Sequence, residues 1–164
     1  MRIQEYKVVL DEDGRNVLVK DCSKNYPANR LDNVEDIVKL MKDVFELHRR
    51  AEEYVYTICL NTKCRPIAFF EISHGTYNMA LVSPREILIR ALLCGATNII
   101  LVHNHPSGDP SPSREDNSMT RRVQSAAGII GIDFLDHIIV GEETYYSYCM
   151  DKRLENKAEN SFVA

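Results

Sequence analysis

The stretch that most constrains this chain is "NIILVH", Asn98 to His103. It is too short for a helix and apolar throughout, which suits a central strand covered on both faces. Such a strand needs layers above and below it, and its neighbours supply helices. Upstream, Ser83, Pro84 and Glu86 make a helix start of cap, preformed first residue and capping-box acid, with Gly95 ending the helix after "ILIRALLC". Downstream, Ser113 caps a helix expected to run to about Ala127 and to end at Gly128.

The rest of the chain adds strands and one more helix. "YKVVL" and "NVLVK" flank the turn "DEDG" and read as a hairpin, followed by a polar linker from Asp21 to Leu31. Asp32 or Asn33 caps a helix with an apolar stripe at Ile37, Leu40, Met41, Val44, Phe45 and Leu47, with His48, Arg49 and Arg50 at its negative end. "YVYTICL" and "PIAFFEI" read as an antiparallel pair, "TYNMALV" as a further strand, and "DHIIVG" with "TYYSYC" as a last pair. Alternating strands and helices predict an α/β fold, a layered α-β-α domain with a mixed, curved sheet flanked by helices. Residues 1–50 form a hairpin and helix on the core, 51–150 the main domain, and 151–164 a charged tail that is loose or a short surface helix.

Composition removes several classes of function. At 164 residues the chain can bury a core without a structural metal or disulfides. Cys22, Cys59, Cys64, Cys94 and Cys149 are scattered, with no C-x-x-C pair, so they read as packing residues rather than thiolate ligands. No apolar run is long enough for a bilayer, and "MRIQEYKVVLDEDG" has no signal-peptide core, so a cytoplasmic location is expected. A net charge of −4 gives no bulk attraction to nucleic acid, leaving DNA binding without support from charge.

The chemistry lies where the apolar strand ends, in "LVHNHPSGDPSPSRED". Residues two apart on an extended chain share a side, so His103 and His105 can present imidazoles to one point. Asp116 follows a loop stiffened by Pro106, Pro110 and Pro112 and can return a carboxylate there; Asp109 and Glu115 are alternative acids. Two nitrogens and one oxygen would leave a fourth zinc position open, as in catalytic sites. A competing reading makes Asp116 a helix-capping acid, since Ser113 and Asp116 have capping-box spacing.

The assembly "HNHPSGDPSPSRED" resembles the H-x-H-P-S-G-…-P-S-x-x-D motif of JAMM (MPN/JAB) metal hydrolases in its RadC form, and the similarity runs from about Glu53 to Tyr148. The resemblance implies a JAB/MPN fold of cytidine-deaminase-like layout and Zn2+ held by His103, His105 and Asp116. It makes Ser113 the oxyanion-binding serine and Glu71 in "FFEISHGT" the catalytic proton shuttle, with Glu86 as rival. A carboxylate closing an apolar strand would be partly desolvated, which suits base work. Asp136 and His137 also match, His137 reading as a core histidine in preference to a partner of the metal ligands. Arg85, Arg121 and Arg122 read as solvated helix faces.

The resemblance favours a zinc-dependent peptidase or isopeptidase acting on a peptide or protein substrate. Its alternatives are a DNA repair or recombination accessory, the role attached to the RadC name, and a scaffold that has lost catalysis. RadC proteins often carry a helical N-terminal region, so this chain is expected to be a stand-alone RadC-like domain. Zinc deaminases need a P-C-x-x-C that is missing here.

Overall fold

The computed structural model describes residues 1–28, 31, 33–75 and 82–154. "NIILVH" forms β5 (Asn98–Asn104), buried at every position, as a strand between two layers must be. Around it the order is β1 (Arg2–Leu10), β2 (Asn16–Asn25), α1 (Val34–Phe45), β3 (Tyr54–Leu60), β4 (Pro66–His74) and α2 (Pro84–Leu93). After β5 come α3 (Arg114–Ile130), β6 (Asp133–Val140) and β7 (Tyr145–Ser147).

These strands make one seven-stranded mixed sheet in the order β2-β1-β4-β3-β5-β6-β7. β5 runs antiparallel to β3 and parallel to β6, and β1 runs parallel to β4. Side chains alternate across the strands into two cores. Ile99 and Leu101 pack with Ile87, Ala91, Val123 and Ala127 of α2 and α3. Ile100 and Val102 pack with Ile37, Leu40, Met41 and Phe45 of α1. Burying each such α1 side chain contributes about 1.5–3 kcal/mol, far more than helix propensity supplies. The α-β-α layering follows from these two faces.

Several boundaries differ from the sequence expectation. Asp21–Asn25 is not a linker but the second half of β2, because Asn25 to Cys22 pair with Arg2 to Glu5. Asn33 caps α1, its side chain accepting from Asp36 N–H. That helix stops at Phe45, where Glu46 turns left-handed and Leu47 enters the core from a short 3₁₀ turn, so Lys42 rather than His48–Arg50 is the basic residue of its last turn. Ser83 caps α2, but Glu86 turns its carboxylate to Arg85 and Arg90. α3 passes through Gly128 and ends at left-handed Gly131. The strand expected at "TYNMALV" lies outside the described residues for 76–81, as does the tail from 155, while Leu154 packs into the α2/α3 core. Among the described residues no helix is long and apolar enough to cross a membrane.

Candidate metal centre

β5 and β6 point their carboxyl ends the same way, and in open α/β sheets ligands collect at that edge. His103 is the last core-facing residue of β5, on the α2/α3 side. Beyond it the chain turns: His105 N–H donates to Val140 C=O (3.2 Å), Gly108 N–H to His105 C=O (2.9 Å), and Glu142 N–H to Gly108 C=O (3.1 Å). The loop thus lies against the residue after β6, where only glycine fits, since a Cβ at Gly141 would collide with the Gly108 carbonyl.

This path returns the chain to the start of α3 and brings His103, His105 and Asp116 together. His103 Nε2 lies 3.1 Å from His105 Nε2 and 3.2 Å from Asp116 Oδ1, and His105 Nε2 lies 3.4 Å from Asp116 Oδ2. Ligands 2.0–2.1 Å from a tetrahedral zinc are separated by about 3.3 Å, close to each of these contacts; the two imidazoles meet different oxygens of the carboxylate, and one donor atom from each residue lies within 4.8 Å of the others. Asp116 is 5% exposed and His103 0%, so the charge gathered there is largely withdrawn from water. Burial pushes the Asp116 carboxyl up, yet hydrogen bonds to His103, His105 and Ser113 with the His103 charge hold it far below the usual range. Burial pulls His105 down, but bonds to Asp116 and the Asp109 carbonyl with the charges of Asp116 and Glu53 leave it net raised.

The capping reading of Asp116 holds alongside the ligand geometry. Ser113 Oγ accepts from Asp116 N–H (3.0 Å), while Asp116 Oδ2 accepts from Ser113 N–H (2.7 Å) and Ser113 Oγ–H (2.6 Å). The cap therefore aims the carboxylate, and the Ser113 hydroxyl is committed to it. Asp109 contributes through its backbone: His105 Nδ1–H donates to its carbonyl (2.8 Å), while its carboxylate caps Ser111 N–H.

Glu71 is not brought to this cluster. Val55 pairs with His103, whereas Tyr56 pairs with both Val102 and Glu71. Paired residues leave a sheet on one side, so Glu71 shares the α1 side with Tyr56, opposite His103. Its carboxylate accepts from Tyr56 O–H (3.0 Å) and meets His74 Nδ1 (3.0 Å), with the side chain 36% exposed.

A different glutamate acts on the cluster. Glu53, just before β3, is half-buried, and its charge acts on His105. The residue between the two histidines fixes that segment. Asn104 Oδ1 accepts from Tyr54 N–H (2.8 Å), and Asn104 Nδ2–H donates to the carbonyls of Glu52 (3.0 Å) and Arg50 (3.5 Å). The choice between Glu53 and Glu71 rests on strand register, which no local pattern discloses.

His137 is both a satisfied core histidine and a partner of His103. Its Nε2 is 2.8 Å from His103 Nδ1, and its Nδ1 is 2.6 Å from Thr120 Oγ1. Adjacent Asp136 faces elsewhere, accepting from Ser147 O–H (2.6 Å), His137 N–H (2.7 Å) and Cys149 N–H (2.9 Å). Burial pushes its carboxyl up to about 6 in spite of those bonds. Because the folded value lies above the unfolded one of 3.8, the contribution to stability is full below about pH 4 and is lost as pH rises through 6. Asp136→Asn should therefore remove the fall in melting temperature of the metal-free protein between pH 4 and 7, an effect of up to about 3 kcal/mol. An unchanged pH profile in the variant would contradict this.

Comparison with known proteins agrees with the motif. The sequence pattern of the RadC-like JAB domain matches residues 31–154. A UPF0758 protein of Alkaliphilus metalliredigens is 44% identical over 118 residues, 72% of this chain and 50% of that protein. Another from Desulforamulus reducens is 48% identical over 114 residues, 69% of this chain and 49% of that protein. A third, from Caldanaerobacter subterraneus, is 40% identical over 131 residues, 80% of this chain and 54% of that protein. The chain thus spans about half the length of the curated relatives it matches. With that pattern running from α1 to the end of the described core, and an α/β sheet presenting its H-x-H and aspartate at one edge, the chain belongs to the RadC-like JAB domain family.

Proposed function

We propose that this chain is a metal-dependent hydrolase of the JAMM type, cleaving peptide or isopeptide amides with zinc held by His103, His105 and Asp116. The observation that carries the reading is the gathering of His103 Nε2, His105 Nε2 and the Asp116 carboxylate at the sheet edge, with contacts of 3.1, 3.2 and 3.4 Å. Bound there, zinc would supply Lewis acidity toward an amide carbonyl and bring the pKa of water down to about 7.

The chain's own residues supply the proton path. Glu53, half-buried and with its charge acting on His105, takes a proton from the attacking water as its oxygen joins the carbonyl carbon. It returns that proton to the amine nitrogen when the C–N bond breaks. Ser113 serves first by orienting Asp116, and the oxyanion contact expected from the family motif requires its hydroxyl to turn away from that carboxylate.

The test is to load the full chain with zinc and offer fluorogenic peptides and lysine ε-linked isopeptides. Amine release that stops on chelation and returns with zinc is the expected result. Bound zinc with no cleavage across the panel would remove the hydrolase reading and leave only the metal site.

A further inference from the structure

His103 is buried completely, and its ring contacts determine which nitrogen carries a proton. Thr120 Oγ1 lies 2.7 Å from the Asp116 carbonyl, which can only accept, so the hydroxyl spends its one proton there. The contact of the same oxygen with His137 Nδ1, 2.6 Å away, must then be donated by the histidine. His137 is 0% exposed, with Tyr148 stacked on its ring at 5.0 Å, and its two ring nitrogens face Thr120 and His103. A second proton on it would place a cation in full burial with only a neutral hydroxyl and an imidazole in contact. His137 Nε2 is therefore an acceptor, and the hydrogen bond of 2.8 Å from His103 must place the His103 proton on Nδ1.

We infer that Thr120 and His137 are positioning residues that lock His103 in its Nδ1–H tautomer and hold its Nε2 lone pair toward the metal. The inference deepens the reading of the cluster as a metal centre and rests on it. The helix that delivers Asp116 also carries Thr120, and the strand beside β5 carries His137. One ligand's carbonyl, at the start of α3, thereby fixes the proton of another ligand on the sheet through two intervening side chains.

Thr120→Val keeps the shape of the residue and removes the hydroxyl; Thr120→Ser restores it. Zinc affinity, measured by competition with a chromophoric chelator, should fall roughly 10- to 100-fold in the valine variant and recover in the serine variant. Nitrogen-15 NMR of histidine in the metal-free wild type should show a proton on His103 Nδ1, hydrogen-bonded to His137 Nε2, whether or not Asp116 draws a second proton to Nε2. The valine variant should show a tautomer mixture.

Wild-type protein that binds zinc while the folded valine variant binds it equally tightly would overturn the inference. So would a wild-type His103 with no proton on Nδ1, a result that stands even if the valine variant fails to fold. Wild-type protein that binds no zinc would instead defeat the metal-centre reading, and the tautomer would still be read in the metal-free spectrum.

Discussion

Asp116→Ala should purify without bound zinc, where the native chain carries roughly one ion per molecule. Affinity at such sites amounts to about 10 kcal/mol or more, and removing one of three protein donors should weaken it by more than about 1000-fold. The substitution also deletes the reciprocal cap on α3, worth about 1 kcal/mol. Asp116→Asn separates the two effects: its side-chain oxygen still accepts from Ser113 N–H, but it brings no negative charge to His103 and His105. Elemental analysis of the three proteins, with melting curves alongside, reads both. Zinc retained at full stoichiometry by both folded variants would place the metal elsewhere.

Glu53→Gln should lower amide turnover by about 10²- to 10⁴-fold while zinc stays bound, the loss typical of a missing proton shuttle. Glutamine preserves size and polarity at this half-buried position but cannot carry the proton. Glu71→Gln should change turnover only a few-fold, because that side chain lies across the sheet against Tyr56 and His74. The comparison is decisive in either direction. If Glu71→Gln removes activity and Glu53→Gln leaves it, the proton path runs through the α1 side of the sheet and the assignment from register is wrong.

Much of this site was legible in the sequence because its parts are contiguous. The apolar run of β5, the H-x-H at its end, the proline-stiffened return and the Ser113 cap occupy nineteen consecutive positions, 98 to 116. Local chemistry also gave the cap at Ser83 and narrowed that of α1 to Asp32 or Asn33. What escaped depends on pairing across long separations. No local rule shows that Tyr56 faces Glu71 while Val55 faces His103, nor that Asp21–Asn25 stays in the sheet through its pairing with the start of β1. Gly128 looked like a helix end, but its surroundings are open and α3 continues to Gly131, where the left-handed turn is made. His137 and Thr120, seventeen residues apart, become partners only when α3 lies over β6.

The double employment of Asp116 has a bearing on how descendants of such a site would be recognised. Selection for metal at such a site and selection for a folded α3 would both act on this one carboxylate, since it faces two histidines and also closes the capping box with Ser113. A lineage that abandoned the metal would be released from His103 and His105 yet still be held to an acid at the third position of the helix. The aspartate is thus a poor witness of function when met alone, and two histidines one residue apart at the end of β5 are the informative mark of a site still in use.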